Sequence, residues 1–235
     1  MKKNIIIALS LLLLSSCAMH STNKLCLREK LSGWELLFDG KSTDGWHGYL
    51  EENTGDGWVA ENGALYCIGL GGDVGGDIVS DKKYDNFILK LEWKISKAGN
   101  SGVFYHVVED EKYNAPYLTG PEYQVIDDKG WPGKLEDWQQ AGADYAMYVA
   151  NDKKKLAPQG EWNTTKIVFN RGHVEHWLNG EKIVEFEAWS DDWTKLKNSG
   201  KWQDAPDYGL AKTGNIGLQD HGNEVWYRNI KIKKL

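Results

Sequence analysis

The chain has 235 residues and carries 28 lysines and arginines against 34 aspartates and glutamates, a formal net charge of −6. An acidic surface repels a phosphate backbone, so this charge argues against nucleic-acid binding. The twelve tryptophans and eleven tyrosines must supply part of a core, and their number also suits stacking on the apolar faces of sugar rings.

The N-terminus predicts an export signal with a lipid anchor. Two lysines in residues 1–4 precede an apolar run at residues 5–14, which is shorter than the roughly 20 residues of a spanning helix. The following Leu-Ser-Ser-Cys17 resembles the bacterial lipoprotein box, in which the cysteine is acylated. We therefore expect a signal peptide at residues 1–16 and a membrane-anchored lipoprotein of the cell envelope, periplasmic or surface-exposed. The alternative is a cleaved secretory signal with an incidental cysteine.

The rest of the chain predicts a tether and one domain. Residues 17–32 read as a short polar tether, and residues 33–235 as a single β-sandwich domain of a common length for this class. Beyond Cys17, the chain has Cys26 and Cys67. An oxidising compartment permits a disulfide between these two cysteines, and the sequence leaves that pairing open.

The pattern from Trp34 onward is one of alternating strands separated by turn residues. Asn62-Gly63 and Asn179-Gly180 favour tight primed turns and predict two hairpins. Strands are predicted at residues 58–60, 64–66, 78–80, 87–96, 103–108, 122–127, 162–170, 173–178, 181–187, 214–219 and 225–232, with short helical pieces near residues 135–141 and 191–197. Many strands, 26 glycines and no alternation of strand with helix predict an all-β, antiparallel two-sheet sandwich.

The alternation of residues along these strands selects candidates for a polar groove. Each sheet of a sandwich buries one face, so polar side chains on the other face are solvent-exposed or line a groove. Glu92 lies opposite the apolar face of its strand, Glu122 and Gln124 share a face, and Gln219 shortly precedes His221. Carboxylates and imidazoles transfer protons near neutral pH, although ordinary surface placement explains any one of these residues.

His176 has two interpretations. It alternates in step with Val174 and Leu178, which predicts a core histidine, whereas a twist in the strand would turn it towards the groove. Glu175 and Trp177 then occupy the opposite face, where a tryptophan beside an acid forms a platform for a sugar.

Several familiar motifs are present only in part in this chain. The glycine-rich residues 69–76 are followed by neither a helix nor a Gly-Lys-Ser/Thr ending, so they predict a loop and not a phosphate cradle. Asp73 in this loop and Asp77 directly after it lack the spacing of an EF-hand. Glu122 and Gln124 have the spacing of the carboxylates in retaining glucanases, but an amide cannot act as the nucleophile. Ordinary two-carboxylate hydrolysis is therefore not predicted.

A series of sequence blocks, taken together and in order, resembles the 3-keto-disaccharide (3-keto-glycoside) hydrolase family. The blocks run from about Trp34 to the C-terminus, and the stretch 129–159 matches none of them. They are residues 37–42 with 45–46, 92–93 with 99–102, 120–127, 160–163, 176–180, 217–222 and 228–230.

The resemblance implies a concanavalin A-like jelly roll with its ligand on the concave face. It also implies glycoside or oligosaccharide substrates whose C3 hydroxyl has been oxidised to a ketone by a partner glycoside 3-oxidoreductase. A C3 ketone acidifies the C2 proton, so a base forms an enolate, the C1 aglycone leaves by elimination and water adds to the product. This route needs a base, an acid and stabilisation of the enolate oxygen, and it needs no carboxylate nucleophile.

On this resemblance, we expect Glu122 or His176 to be the base and His221 to be the acid for the leaving group. A divalent metal held by Glu122, His176 and His221 is left open, because no ligand spacing is evident. A carbohydrate-binding lipoprotein without catalysis is the alternative function, since jelly rolls host lectins as well as enzymes. The residues expected to bind substrate are Glu92, Asn100, Tyr105, Gln124, Asp127, Trp177 and Gln219.

Overall fold

The computed structural model describes residues 22–70 and 76–235. The predicted signal peptide, the proposed lipidation site Cys17 and Asp73 of the glycine-rich loop lie outside these residues. Within the described ranges, no helix combines the length and the apolar character needed to cross a membrane.

The described residues form an antiparallel two-sheet jelly-roll sandwich, as predicted. The larger sheet has the strand order β11-β10-β9-β6-β13-β4-β3, with β1 also paired to β13, and the smaller sheet has the order β2-β5-β12-β7-β8. The strands are β1 (Trp34–Leu36), β2 (Trp46–Gly48), β3 (Trp58–Glu61), β4 (Ala64–Ile68), β5 (Ile78–Tyr84), β6 (Phe87–Ile95), β7 (Asn100–Val107), β8 (Glu122–Ile126), β9 (Asn163–Asn170), β10 (His173–Leu178), β11 (Glu181–Glu187), β12 (Gly214–Leu218) and β13 (Glu224–Lys234).

The helices in the described ranges are short and lie outside the two sheets. An α-helix at Asp191–Ser199 confirms the second predicted helical piece, with the Ser190 side chain accepting a hydrogen bond from the Trp193 backbone at its start. The first predicted piece is a single 3₁₀ turn, Asp137–Gln139. The further helical segments are Leu27–Leu31, Pro116–Leu118 and Lys201–Asp204.

Both predicted hairpins form. In the β3–β4 turn, Asn62 and Gly63 have φ angles of 50° and 74°, and in the β10–β11 turn, Asn179 and Gly180 have φ angles of 49° and 89°. A primed turn needs two left-handed residues in succession, and asparagine and glycine adopt that conformation at the lowest cost. The turn chemistry therefore fixes the register of both hairpins.

The core lies between the two sheets and follows the alternation seen in the sequence. On β6, Phe87, Leu89, Leu91 and Trp93 are at most 2% exposed, while the residues between them face outward. Because one face of each strand is buried in this way, the other face of each sheet is left to line a groove or meet solvent.

The segment predicted as a tether contacts the larger sheet from Asn23 onward. The Asn23 backbone N–H donates to Asn229 Oδ1 (2.6 Å), and the Asn229 backbone N–H donates to Asn23 Oδ1 (2.8 Å). Lys231 also forms an ion pair with Glu29. Cys67 is a buried free thiol, so the disulfide between Cys26 and Cys67 that the sequence left open does not form.

Candidate active site

A cavity of about 690 Å³ opens on the outer face of the smaller sheet. Tyr123 and Val125 of β8 are fully buried in the core, so the residues that alternate with them, Glu122 and Gln124, point outward into this cavity. The neighbouring strand β7 contributes Asn100. The strand order of the smaller sheet thus brings side chains from separate parts of the chain to one surface.

Five of the predicted site residues line this cavity. They come from two adjacent strands and from the segment that follows β12. Their shared placement agrees with the alternation argument for Glu122, Gln124 and Gln219, whereas Asn100 was expected from the resemblance and His221 from its place just after β12. They are Asn100, Glu122, Gln124, Gln219 and His221.

Glu122 is the most strongly perturbed acid of the cavity. Its side chain lies over Gly102, where an added Cβ would stand 2.2 Å from Glu122 Oε1, so glycine makes room for the carboxyl group. Burial raises the pKa of Glu122 to about 8, and the charges of Asp77 and Asp144 act in the same direction, while the nearby Lys201 ammonium lowers it. Glu122 therefore holds its proton at neutral pH in the absence of substrate.

Acceptor oxygens around the cavity are left for a ligand. Asn100 Oδ1, Gln124 Oε1, Gln219 Oε1 and Asp220 Oδ2 are buried and accept no hydrogen bond from the part of the chain that the structure describes. The Gln124 amide is held in place because its Nε2 donates to the Gln139 carbonyl (3.1 Å). A buried acceptor without a donor costs free energy. These oxygens are thus suited to a ligand that presents several hydroxyl donors.

One wall of the cavity is aromatic and basic, and sequence reasoning missed it. Lys201 Nζ lies 4.2 Å from the Tyr145 ring centroid and 5.1 Å from that of Trp202, and Trp202 stacks on Tyr208 at 4.2 Å. All three lining residues, Tyr145, Lys201 and Trp202, come from long connections without periodicity. The high tryptophan content was a signal, but it did not identify which rings reach a ligand.

His176 and Tyr105 do not reach the cavity. His176 is fully buried between the sheets, with Nδ1 3.1 Å from the Gly142 carbonyl oxygen and Nε2 3.4 Å from the Tyr105 hydroxyl. Burial lowers the pKa of His176 to about 4, so the ring is neutral. Tyr105 donates to Asp144 Oδ1 (3.2 Å) inside the core. The structure confirms the core interpretation of His176: its side chain lies on the same buried face of the strand as Val174 and Leu178.

Glu92 and Trp177 lie on the outer face of the larger sheet, on the opposite side of the sandwich from the cavity. Glu92 accepts hydrogen bonds from Arg228 Nε and Asn229 Nδ2, both at 2.7 Å. Trp177 donates from Nε1 to Glu175 (2.8 Å). The expectation that both residues share a groove with Glu122 is not met, because alternation along a strand does not tell which of the two sheets the strand joins.

Asp127 stabilises two turns of the backbone. Its carboxylate accepts hydrogen bonds from the backbone N–H groups of Ala98 (3.0 Å) and Gly130 (2.9 Å). These bonds join the turn before β7 to the turn after β8. Asp127 does not line the cavity, so the expectation that it binds substrate is not met.

The three residues considered for a metal are not brought together, because His176 lies in the core while Glu122 and His221 line the cavity. In the described part of the chain, the group whose ligand atoms approach within 4.8 Å of one another is His173, Glu175 and Glu185. That group lies on β10 and β11, away from the cavity.

Comparison with known proteins agrees with the resemblance seen in the sequence. A family model described as a 3-keto-alpha-glucoside-1,2-lyase-like domain matches residues 33–233. The chain is 36% identical over 230 residues to a 3-keto-disaccharide hydrolase of Bacteroides thetaiotaomicron, covering 86% of this chain and 79% of that protein. The chain therefore belongs to the 3-keto-alpha-glucoside-1,2-lyase-like family.

Two solved structures support the same assignment. A candidate glycosyl hydrolase from Parabacteroides distasonis is 46% identical, with a TM-score of 0.85 over 92% of this chain and 100% of that chain. A second candidate glycosyl hydrolase from the same organism is 27% identical, with a TM-score of 0.66 over 86% of this chain and 99% of that chain. The fold is thus shared over nearly the full length of these proteins.

Proposed function

We propose that the protein cleaves glycosides whose C3 hydroxyl has been oxidised to a ketone, in the cavity that contains Glu122. The observation that carries this proposal is the buried Glu122 carboxyl group, which has a pKa raised to about 8 and is surrounded by acceptor oxygens suited to sugar hydroxyls. The similarity to a 3-keto-disaccharide hydrolase supports the substrate class. The substrate itself must come from a reaction that oxidises a glycoside at C3, that is, from an oxidoreductase.

The proposed reaction begins with proton transfer from C2 to the Glu122 carboxylate. The electron pair of the C2–H bond forms the enolate, and its collapse breaks the C1–O bond and makes a C1–C2 double bond. His221 gives a proton to the departing oxygen. Water then adds to the double bond: its hydroxyl bonds to C1, its proton returns to His221, and Glu122 gives the proton back to C2, so that the net reaction is hydrolysis. A carboxylate with a pKa near 8 is a stronger base than an ordinary carboxylate and is better matched to a weakly acidic C–H bond.

The other cavity residues have supporting roles in this proposal. The Lys201 ammonium places positive charge beside Glu122, where it stabilises the developing enolate oxygen. Asn100, Gln124 and Gln219 accept hydrogen bonds from the sugar hydroxyls. The aromatic surface of Trp202 meets the apolar face of a sugar ring.

The base role of Glu122 predicts a particular pH dependence. Only the deprotonated form acts as a base, so with C2 deprotonation as the rate-limiting step we expect kcat for a 3-keto-glucoside to rise about tenfold per pH unit up to pH about 8. Initial rates between pH 5 and pH 10 measure this. Because the Lys201 charge lowers the pKa of Glu122, Lys201→Gln should move the rising limb to higher pH, whereas Lys195→Gln, on an exposed helix surface, should not. A rate that falls through pH 8 would instead make protonated Glu122 the acid.

A carbohydrate-binding function without catalysis remains the second candidate. It is favoured by the position of His176 in the core, which removes one of the two predicted imidazoles from the cavity. A binding protein of this kind would hold the glycoside at the same cavity and release no aglycone at any pH, so the rate measurement separates the two functions.

We also propose that Cys17 is acylated and that the protein is anchored in the cell envelope by this lipid. The support is the order of charged, apolar and small residues before Cys17 in the sequence. Mass spectrometry of the mature N-terminal peptide tests this, since an acylated cysteine as the first residue is expected and an unmodified or differently cleaved N-terminus would contradict it.

A further inference from the structure

A row of lysines crosses the outer face of the larger sheet. The strand registers place Lys182 beside Trp177, Trp177 beside Lys166, Lys166 beside Lys90 and Lys90 beside Lys231. Five neighbouring strands, β11, β10, β9, β6 and β13, thus present four lysines and one tryptophan side by side. Like charges directly opposite one another destabilise a sheet, so the repulsion between these neighbouring lysines lowers the stability of the folded protein unless other groups offset it.

The lysines at the two ends of the row are neutralised by carboxylates. Lys182 forms ion pairs with Glu185 (2.6 Å) and Glu175 (3.3 Å), and Lys231 forms one with Glu29. The carboxylate next to the centre of the row, Glu92, is already held by Arg228 and Asn229.

The two central lysines have no such carboxylate. Across residues 22–70 and 76–235, no aspartate or glutamate oxygen lies within ion-pair distance of the Lys90 or Lys166 ammonium group. Their ammonium groups instead lie over aromatic rings, Lys166 Nζ at 3.3 Å from the Trp177 centroid and Lys90 Nζ at 5.0 Å from that of Trp34. Burial, together with the neighbouring Lys231 charge, lowers the pKa of Lys90, while the more distant Glu29 carboxylate acts in the opposite direction.

These central lysines line a groove of about 380 Å³ together with Trp177, Thr164 and Asn229, and its two acidic lining residues, Glu29 and Glu92, are those already paired with Lys231 and Arg228. This volume is in the range of small-molecule sites, roughly 300–1,000 Å³. The groove is separated from the Glu122 cavity by the thickness of the sandwich, because the cavity lies on the outer face of the other sheet. Its chemistry is therefore independent of the proposed reaction.

We propose that this groove is a second binding site, for an acidic saccharide whose carboxylate or sulfate lies between Lys90 and Lys166 and whose ring lies against Trp177. Two ammonium groups that form no ion pair with the described residues favour an anion. Because the whole chain has a net charge of −6, this concentration of lysines is a local feature of the larger sheet. Because the Lys166 ammonium covers one face of the Trp177 indole, the sugar ring packs against the remaining indole surface that lines the groove, and Thr164 offers a hydrogen bond to its hydroxyls. A saccharide held here would keep the protein on a charged glycan while the cavity on the opposite face stays accessible.

Isothermal titration calorimetry with trigalacturonate tests the proposal, using the full chain with Cys17→Ala so that no lipid anchor contributes. We expect binding that weakens at least tenfold in Lys90→Gln, in Lys166→Gln and in Trp177→Ala, and that weakens as salt is raised. Lys97→Gln and Lys155→Gln, exposed lysines outside the row, are matched controls and should bind as the parent does. Glu122→Gln should also leave this binding unchanged.

Other outcomes overturn the proposal. Equal binding of the neutral trisaccharide maltotriose would show that the site does not require an anion. Inorganic sulfate that competes as strongly as trigalacturonate would show that the site binds an anion and does not recognise the saccharide. Unchanged affinity in Lys90→Gln and Lys166→Gln would place binding elsewhere. Flotation with vesicles of acidic phospholipid, without any saccharide affinity, would make this face a membrane contact. The lysine variants are expected to fold, because each removes a like-charge neighbour, and their melting temperatures verify this.

Discussion

Glu122→Gln should lower turnover of a 3-keto-glucoside by about 10²–10⁴-fold, the range typical of losing a general base. Glutamine preserves the size of the side chain and cannot take a proton from C2. The same substitution should raise the melting temperature at pH 7. Burial raises the pKa of Glu122 to about 8 in the folded protein, so at pH 7 the carboxyl group ionises only on unfolding, and this ionisation favours the unfolded chain. Glutamine does not ionise and removes that effect. Aglycone release and thermal unfolding measure the two effects.

Glu111→Gln is the matched control for this result. Glu111 is exposed and lies outside the cavity, so both its turnover and its melting temperature should equal those of the parent. A Glu122→Gln protein that keeps its turnover would show that Glu122 does not carry the proton. A variant that loses both turnover and stability would point to a structural role.

The second large effect is expected at Asp144, a fully buried carboxyl group whose pKa burial raises to about 8. Below pH about 4, aspartate is protonated in the folded and the unfolded chain, and its burial then carries no ionisation cost. As the pH rises from about 4 to about 8, the unfolded chain ionises while the folded chain stays protonated, so the folded state loses about 1.4 kcal/mol per pH unit.

Asp144→Asn removes this loss and should therefore stabilise the protein, by on the order of 4 kcal/mol at pH 7. The asparagine Oδ1 still accepts the hydrogen bond from Tyr105 that Asp144 Oδ1 accepts now. Urea unfolding at pH 4, 5.5, 7 and 8 should show a stability difference that grows with pH. Asp152→Asn, at an exposed position, should show none. A difference of the same size at every pH would contradict the buried, protonated state of Asp144.

The parts of the fold with strong periodicity could be predicted from the sequence. The strand from Phe87 alternates between core and surface over its whole length, and the two Asn-Gly turns specify left-handed residues that few other sequences tolerate. The short strands β1 and β2 were not predicted, because three residues are too few to show a period of two. Both are held by pairing with long strands, β13 and β5, which is a tertiary effect.

The candidate site could be predicted only in part, and the reason is geometric. Alternation places Glu122, Gln124 and Glu92 on faces away from the core, but the two sheets have two such faces. Sheet membership depends on long-range pairing, which assigns β8 to the smaller sheet and β6 to the larger one. For that reason Glu122 and Gln124 reach the cavity, while Glu92 lies on the other side of the molecule.

The sequence did not indicate which residues form the aromatic and basic wall of the cavity. Tyr145 is positioned because its backbone N–H donates to the Glu122 carbonyl (3.0 Å), which places a residue of an irregular connection beside the edge strand β8. Lys201 and Trp202 follow the helix Asp191–Ser199 and are held by a hydrogen bond from Trp202 Nε1 to the Tyr145 carbonyl (3.1 Å). Such contacts between two long loops leave no periodic trace in the sequence.

Aglycone release from a 3-keto-glucoside, compared with release from the same glucoside unoxidised at C3, tests the central claim most directly. Both reactions are run on the purified protein, with and without a chelator. The proposed C2 deprotonation predicts release from the 3-keto substrate alone, since only the ketone makes the C2 proton acidic enough for the Glu122 carboxylate. Loss of aglycone release in the presence of the chelator would show that the reaction also requires a metal ion. Equal release from the unoxidised glucoside would contradict the account and make the protein an ordinary glycosidase.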